Sequence, residues 1–404
     1  MIIRKYWSRS NFTGLLPLFV LAHFIHHVVN ASLVPLLPFI RDEFSLDYTQ
    51  AGFLVAAFTL PYGISQIPSG WLADRIGRRI MMAIGISGVG LAGLLVGLSQ
   101  TYIMLVAFLI LLGVLGGGYH PSAPPLVSAS VKPENRGRAL GIHLVGGSGS
   151  HFLSPLIAVA IATAWGWRSS FIGLAIPAMV FGVIFYIIMG RRALTGKGQP
   201  VATGRYEEQR PSPVNMRRLV MFIILTTGTS AVLHSAIAFI PLFLVDHFGV
   251  SENIAAVYLA IIYSAGIWAG PLGGYLSDRF GRVPVILVTC FSLGPFVFLL
   301  NLVPYGLGFG ALLVIIGMFM MMRGPVAESY VVSETSERNR STILGIYFFA
   351  GMEGVGLLTP VFGWLVDQFG FHTSFTIASV ALVVVTLTCS LFLRGSEDSK
   401  STIT

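Results

Sequence analysis

The chain has 404 residues and a formal net charge of +8, and 54% of its residues are hydrophobic whereas only 10% are charged. Because soluble domains carry about 25% charged residues, this composition excludes a soluble globular protein and predicts an integral membrane protein. The two cysteines, Cys290 and Cys389, lie within apolar runs, so neither a disulfide framework nor a metal cluster is predicted.

Apolar runs of about 20 residues or more recur along the chain, which predicts spanning helices, since the strands of a barrel would be short and alternating. The first run follows a basic flank and lacks a convincing small-residue cleavage site, so a span is predicted there instead of a removed signal. The predicted spans are residues 11–38, 47–72, 79–99, 102–130, 137–163, 169–190, 217–244, 252–277, 283–301, 305–332, 341–366 and 373–393.

A polar insert at residues 191–216, rich in arginine, glycine and proline, predicts a flexible cytoplasmic linker. It divides the chain into an N-terminal six-helix bundle, residues 1–190, and a C-terminal six-helix bundle, residues 217–404. The predicted fold class is therefore an all-α integral membrane protein with twelve transmembrane helices in two pseudo-symmetric bundles.

The placement of lysine and arginine predicts the orientation in the membrane. With both termini inside, 22 of the 25 basic residues fall in inner segments, Arg41 and Arg168 fall in outer loops, and Arg323 lies within a span. Both termini are therefore predicted to be cytoplasmic, in the plasma membrane (inner membrane) of a bacterium or archaeon. This distribution explains the basic excess, so no nucleic-acid partner is expected.

One short polar loop has a second copy 204 residues later in the chain. The same offset aligns residues 42–171 with residues 246–375 without a gap, which predicts a tandem duplication of one unit of roughly 200 residues. A carboxylate at the inner end of a helix favours the positive end of a neighbouring helix, although topology alone also explains the basic residues. The matched loop residues are Gly70, Asp74, Arg75, Gly77 and Arg78 in the first copy, and Asp278, Arg279, Gly281 and Arg282 in the second.

Ionisable residues inside spans are costly in lipid, so they are expected to face a watery cavity or each other. His23, His26 and His27 stand at positions i, i+3 and i+4 of the first span, and Asn30 extends this polar stripe by one turn. The repeat partner of Asn30 is His234. Such a stripe suits a substrate site near the midplane and proton exchange. Buried histidines that only bond neighbouring helices are the alternative.

The fourth and fifth spans add His120, His143 and His151. The prolines that follow His120 are expected to disturb the helix and to free backbone carbonyls. Tyr119 is the repeat partner of Arg323, so both copies place a polar residue beside a bend at similar depth. Tyr119, His120 and His151 are therefore candidate substrate-binding residues, and a structural kink is the alternative.

Arg323 is the basic side chain that is predicted to lie deep in a span. It suits an anionic substrate group, and it suits equally an ion pair with Glu353 or Glu328. Glu353 is a candidate proton carrier, because a carboxyl group in a partly dry site retains its proton. Glu328 is a candidate for coupling or gating, and His120 is a further candidate for coupling.

The paired loops Gly70–Arg79 and Gly274–Arg282, together with the 6+6 layout and its basic linker, resemble the major facilitator superfamily of secondary transporters. The resemblance covers nearly the whole chain. It implies that the two loops form a gating motif that latches the two halves together on the inner side.

A closer resemblance is to exporters of the fosmidomycin-resistance type. One departure concerns the superfamily's antiporter motif, in which a glycine precedes the proline of the fifth span, whereas Ser154 precedes Pro155 here. The direction of transport therefore stays open. The resemblance rests on Ala22-His23, the run from Glu43 to Leu46, the run from His120 to Ser122 and the run from Gly146 to Ser150.

The predicted function is a proton-coupled secondary transporter of small organic molecules, an exporter of drugs or organic anions that works by alternating access around a central cavity. An importer of organic anions and a transition-metal exporter that uses the histidine cluster are the alternatives. Metal transport ranks lower because no Cys, Asp or Glu accompanies the histidines of the first span. No enzyme activity, cofactor or metal site is predicted. The expected partners are substrate, protons and the lipid bilayer, and the chain is expected to be a monomer.

Overall fold

The computed structural model describes residues 14–132, 135–194, 216–335 and 337–393, and the regular elements throughout these ranges are helices. The basic residues near the N-terminus and most of the predicted linker, residues 195–215, lie outside the described residues. In chain order the α-helices are α1 (Leu16–Asn30), α2 (Leu33–Phe44), α3 (Tyr48–Ile76), α4 (Arg78–Gly97), α5 (Tyr102–Gly116), α6 (Tyr119–Ala129), α7 (Arg136–Trp165), α8 (Trp167–Leu194), α9 (Met216–Ala238), α10 (Ile240–Phe248), α11 (Glu252–Ser264), α12 (Ala269–Phe280), α13 (Arg282–Leu299), α14 (Leu307–Ser333) and α15 (Glu337–Leu393).

Helices long and apolar enough to cross a membrane dominate the described part of the chain. Nine such segments are present there, or ten if the pair Glu252–Ile267 and Ala269–Phe280, bent by 43°, forms one span. The prediction of an all-helical, multi-pass membrane protein is therefore confirmed. The twelve-span count and the cytoplasmic termini stay predictions.

The first predicted span ends later than the sequence indicates. The sequence places its end at residue 38 and Arg41 in an outer loop, whereas helix α2 continues to Phe44. The helix extends beyond residue 38 because its apolar face remains buried there: Leu37 and Ile40 are both fully buried. Arg41, in the last turn of α2, forms ion pairs with Asp42 and Asp246. The prediction that Arg41 lies in a loop is therefore wrong.

The fourth predicted span is interrupted, as expected, but the interruption lies before the prolines. Helix α5 ends at Gly116 and α6 begins at Tyr119, whereas Pro124 and Pro125 lie inside α6. A proline ring clashes with the carbonyl four residues earlier. For Pro121 that carbonyl belongs to Gly117, so the break at residues 117–118 follows from Pro121.

The backbone repeats the predicted offset between the two copies. Several positive-φ residues stand in matched pairs, Gly77 (φ 101°) with Gly281 (φ 88°) and Gly166 (φ 83°) with Gly370 (φ 75°), whereas Gly14 and Gly306 have no such counterpart. Ser45 (φ 51°) matches Gly249 (φ 64°) in the same way. Backbone turns at equivalent positions are what a tandem duplication would produce, and the repeat itself stays a prediction.

The described residues form two compact units. The division predicted from the sequence, with its boundary at the linker, stays a prediction. Unit 1 takes its residues from 1–46, 57–206 and 244–263, and unit 2 takes its residues from 47–56, 207–243 and 264–404.

Unit 1 is held together by close helix approaches at small residues. A methyl group at Gly146 of α7 would collide with the backbone oxygen of Val20 in α1, and one at Gly147 would lie 2.7 Å from the ring of His23. Glycine therefore lets α1 and α7 pack backbone to backbone, as small residues do between membrane helices. This packing fixes the depth of the polar residues on α1.

Unit 2 packs α9, α13, α14 and α15 around a core that contains Phe222, Ile286, Tyr330 and Val331. The rings of Phe222 and Tyr330 stack with centroids 3.9 Å apart. These contacts hold α9 beside α14, so the polar residues of the two helices can share one environment.

Candidate functional site

A cluster of histidine rings lies in unit 1, where α1, α6 and α7 meet. His23 lies 4.3 Å from His143 and 4.9 Å from His27, measured between ring centroids. His27 lies 5.2 Å from His120 and 5.0 Å from His151. The structure thus brings together histidines that are far apart in the chain, and it adds His143, which the sequence placed in a span without assigning it a role.

Two of these rings are oriented by backbone carbonyls. The Nδ1 of His23 lies 2.9 Å from the carbonyl oxygen of His143, and the Nδ1 of His143 lies 3.1 Å from the carbonyl oxygen of Phe19. A carbonyl only accepts, so each Nδ1 carries the proton. The Nε2 of neutral His23 therefore keeps its lone pair.

His26 has a different environment from its neighbours. Its side chain is fully buried, and its Nδ1 donates to the carbonyl oxygen of Gly85 at 2.9 Å. Its Nε2 lies 3.1 Å from the hydroxyl of Tyr62, which donates to it. Both ring nitrogens are thus engaged within the protein, so His26 offers none to a ligand and supports the packing of α1.

His27 and His120 are half-buried. Among the described residues, neither ring has a hydrogen-bond partner within the protein. One ring nitrogen from each of His23, His27 and His120 can be chosen so that all three lie within 4.8 Å of one another. One nitrogen of each ring therefore lies near one nitrogen of each of the other two.

Tyr119 and Asn30 are buried polar residues that lie close in sequence to His120 and His27. The Tyr119 ring stacks on His26 at 4.3 Å and on His23 at 5.4 Å. Within the described part of the chain, the Tyr119 hydroxyl and both polar atoms of the Asn30 amide are buried without a hydrogen-bond partner. The structure therefore joins Tyr119 to the predicted cluster and leaves Asn30 outside its ring contacts.

The second polar cluster lies in unit 2 and is centred on Arg323. The side chain is buried, with 5% of its surface exposed, and its Nη1 donates to the Thr229 hydroxyl at 3.0 Å. Among the described residues, no carboxylate lies in ion-pairing range of this guanidinium, so neither Glu328 nor Glu353 neutralises it. The sequence left an ion pair with either glutamate open, and the structure does not form one.

His234 and Tyr347 are neighbours of Arg323. Each lies within electrostatic range of the guanidinium, and the Nδ1 of His234 donates to the carbonyl oxygen of Ser230 at 2.9 Å. The sequence identified Arg323 and His234 but not Thr229 or Tyr347. A signal for Tyr347 did exist, because it stands at the repeat position of His143 in the aligned segments.

The two glutamates of unit 2 differ in environment. Glu353 is half-buried, and its Oε1 atom is buried without a hydrogen-bond partner in the part of the chain that the structure describes. The side chain of Glu328 is exposed. Of these two carboxyl groups, that of Glu353 is the one with a buried oxygen that has no hydrogen-bond partner among the described residues.

The paired inner loops keep the predicted turn glycines, Gly77 and Gly281, and their charges interact locally. Asp74 accepts a hydrogen bond from Arg78 at 2.9 Å, one turn away on the exposed surface. Arg75 lies 3.7 Å above the Trp71 ring, and Arg279 lies 5.3 Å from the centroid of its neighbour Phe280. The proposed latching role of these loops stays a prediction.

The described residues form a helical membrane fold that buries imidazole, guanidinium and carboxyl groups. The family model of the Major Facilitator Superfamily matches residues 19–352 and 222–403. The chain therefore belongs to that superfamily, and the resemblance seen in the sequence is confirmed.

Relatives in the superfamily cover the chain almost from end to end. The probable sulfoacetate transporter SauU of Cupriavidus necator is 25% identical, covering 94% of each chain. The hexuronate transporter of Bacillus subtilis is 24% identical, covering 96% of each. The fosmidomycin resistance protein of Escherichia coli is 26% identical, covering 91% of this chain and 88% of its own.

Solved structures show the same fold. A bacterial homologue of the human lysosomal transporter Spinster superposes with a TM-score of 0.77 at 18% sequence identity, covering 94% of this chain and 95% of its own. At this identity the likeness extends to the fold alone.

Proposed function

We propose that the chain is a proton-coupled secondary transporter of small organic anions, and that Arg323 binds the anionic group of the substrate. The observation that carries this proposal is the buried guanidinium of Arg323, which has the Thr229 hydroxyl at 3.0 Å and no carboxylate in ion-pairing range among the described residues. A buried cation without a carboxylate partner is stabilised by an anion, and in this proposal the substrate supplies that anion.

The energetic argument concerns the cost of burying that charge. An arginine at the centre of a membrane helix costs about 2.5–3.5 kcal/mol on insertion scales, and an uncompensated buried charge is strongly destabilising. A carboxylate, sulfonate or phosphate group that accepts two parallel bonds from the guanidinium removes most of this cost. Thr229 accepts from one of the five N–H groups of the guanidinium, which leaves other donors of Arg323 for a ligand.

Glu353 is the proposed proton carrier. Its Oε1 is buried without a partner among the described residues, and a bare carboxylate is costly in such a place. Protonation relieves this cost, so we expect the occupancy of the proton on Glu353 to depend on the side of the membrane to which it is exposed. His120, Glu328 and the remaining histidines stay secondary candidates for the same role.

The substrates for which several relatives are named support an anionic substrate. Sulfoacetate, hexuronate and L-galactonate are anions at neutral pH, and they name three of the similar transporters. The fosmidomycin resistance protein is a further relative. We propose export as the direction, by antiport with protons, and import of the same anions is the alternative. Transport would proceed by alternating access, with the binding residues exposed to each side in turn.

We further propose twelve spans in a monomer of a bacterial or archaeal inner membrane, with both termini cytoplasmic. Counting Tyr48–Ile76 as a span, joining the bent pair α11 and α12, and dividing α15 at the non-helical Gly370 gives twelve. The basic residues then keep their concentration on the inner side.

Flux through proteoliposomes tests this function. The purified chain would be reconstituted, a pH gradient imposed in either direction, and the initial rate measured with labelled sulfoacetate, a hexuronate and fosmidomycin. Wild type should move at least one probe, and a protonophore that collapses the gradient should lower the rate. A rate unchanged by the protonophore would contradict proton coupling. The gradient direction that accelerates efflux separates the exporter from the importer.

Arg323→Ala should abolish this flux, and Arg323→Lys should retain part of it, because lysine keeps the charge but loses the planar fork. The matched control is Arg217→Ala, which removes an exposed arginine from the start of α9. Flux through Arg323→Ala equal to that of wild type would show that the substrate is not held by this residue.

A further inference from the structure

We infer that His23, His27 and His120 in unit 1 bind one divalent transition-metal ion of the zinc class. His23 and His27 stand one turn apart on α1, and His120 stands in the first turn of α6. Their nearest ring nitrogens lie within 4.8 Å of one another. This site goes beyond the proposed function, because Arg323, Thr229 and Glu353, which carry the anion proposal, are not part of it.

The spacing of the rings fits one metal ion. The three pairs of ring centroids are 4.9, 5.2 and 5.7 Å apart. Imidazole nitrogens bind zinc at about 2.0–2.1 Å in tetrahedral geometry, which places the centroids of three such rings about 5 Å apart and their nitrogens about 3.3 Å apart. The rings already have the required spacing, and rotation about their side-chain bonds brings the nitrogens inward.

The hydrogen bonds distinguish metal ligands from structural histidines. His23 donates its Nδ1 proton to the carbonyl oxygen of His143 at 2.9 Å. Metal-binding histidines characteristically have such a second contact, which fixes the tautomer and leaves the other nitrogen for the metal. His27 and His120 have no protein partner among the described residues, whereas His26 has both nitrogens engaged.

The chemistry of this ligand set selects the ion. Neutral imidazoles suit zinc, cobalt, nickel and copper, whereas magnesium and calcium prefer oxygen ligands. Three protein ligands leave one tetrahedral position for water, for an anion or for His151, whose ring centroid lies 5.0 Å from that of His27. The competing reading, an imidazolium cluster that binds an anion, would bring several positive charges into contact within a membrane protein, where their repulsion is large.

Equilibrium metal binding to the intact detergent-purified chain, freed of any affinity tag, tests this inference. Cobalt is the primary probe, because tetrahedral Co²⁺ has a visible absorption that reports its ligand geometry, and zinc is then added in competition. Wild type should bind one cobalt ion with a tetrahedral spectrum, zinc should displace it, and a large excess of magnesium should not.

His27→Ala and His120→Ala should each weaken cobalt binding at least tenfold, since changes to the supporting residues of metal sites already cost about 10–100-fold. The matched control is His372→Ala, which removes an exposed histidine outside the cluster and should bind as wild type does. Melting temperatures measured in chelator establish that each variant is folded. If an alanine variant fails this check, His27→Gln and His120→Gln replace it.

Several outcomes would overturn the inference: no cobalt bound by wild type, a purely octahedral cobalt spectrum, or equal affinity in the wild type and the folded variants of His27 and His120. Arg323→Ala should bind cobalt as wild type does. A failure of the anion proposal and a failure of the metal site are therefore distinguishable in one set of proteins.

Discussion

Equivalent positions in the two predicted repeats carry side chains of different chemical type. Tyr119 in unit 1 corresponds to Arg323 in unit 2, and His143 corresponds to Tyr347. The first cluster consists of histidine rings, whereas the second contains a buried cation that donates to the Thr229 hydroxyl. The predicted duplication thus accounts for polar groups at matching positions along the helices, whereas the residue types at those positions differ between the two copies.

The closeness of helix packing at equivalent positions also differs between the two units. Gly146 and Gly147 bring α7 against α1, whereas the equivalent residues in α15 are Ala350 and Gly351. A methyl group at Gly351 would meet no atom within 4 Å. The tight approach at this pair of positions therefore belongs to unit 1, whereas in unit 2 the close contact lies three residues further on, where a methyl group at Gly354 would lie 2.8 Å from Ala231 of α9.

The largest expected effect concerns Glu353, whose repeat partner is Gly149. Glu353→Gln should abolish anion movement driven by a pH gradient, because glutamine cannot carry a proton, while exchange of labelled for unlabelled anion at equal pH should persist. Proteoliposome flux in the two modes measures this. Glu353→Asp keeps a carboxyl group and should retain part of the driven flux. Normal driven flux in Glu353→Gln would remove Glu353 from the coupling step.

The next effect concerns the stability of unit 1. Gly146→Ala should destabilise the protein by about 2–3 kcal/mol, because the added methyl meets the backbone oxygen of Val20 and overpacking of a tight interface costs about this much. The measurement is the thermal unfolding temperature in detergent. Gly351→Ala is the matched change in unit 2 and should have little effect. Equal shifts in the two variants would contradict the asymmetry of the packing.

A related substitution probes the positioning of His23. Gly147→Ala places a methyl group 2.7 Å from the His23 ring, so it should displace that ring and weaken cobalt binding by about tenfold. The cobalt titration described above measures this, with Gly351→Ala as the control. An unchanged cobalt affinity in a folded Gly147→Ala variant would show that metal binding does not depend on the position of the His23 ring.

The smallest effect concerns matched helix ends. In unit 2, Asp367 accepts hydrogen bonds from the backbone amides of Tyr48 and Thr49, at 2.9 and 2.8 Å, and so caps α3. The equivalent contact in unit 1 is one 3.3 Å approach between Thr163 and Asn253.

Asp367→Ala should therefore cost about 1 kcal/mol, as loss of a helix cap does, and Thr163→Ala should cost much less. Thermal unfolding of the two variants in parallel measures the difference. A larger loss in Thr163→Ala would show that the contact in unit 1 is the stronger one.

Much of this architecture is readable from the sequence because it depends on local or periodic signals. The glycines at 77, 166, 281 and 370 mark turns that other residues rarely adopt, and the constant offset between the two copies connects them. Ser45 was not predicted, since a left-handed serine has no such signal. The end of α2 was also missed, because burial of Ile40 depends on the packing of other helices.

The sequence identified most residues of the candidate sites, but it did not predict the hydrogen bonds that decide what each side chain can bind. The spacing of His23, His26 and His27 showed that they share a helix. Their difference depends on backbone carbonyls contributed by distant helices, those of His143 and Gly85. The absence of an ion pair at Arg323 among the described residues is likewise a matter of distance between helices, which no pattern in the sequence specifies.

Binding of an organic anion to wild type and Arg323→Ala tests the central claim most directly. Isothermal titration of the best transported probe, with Arg217→Ala as the control, should show affinity lowered at least tenfold in Arg323→Ala alone, since hydrogen bonds to charged groups contribute about 1.5–3 kcal/mol. Equal affinity in wild type and Arg323→Ala would contradict the account and would require the anion to be bound by other residues.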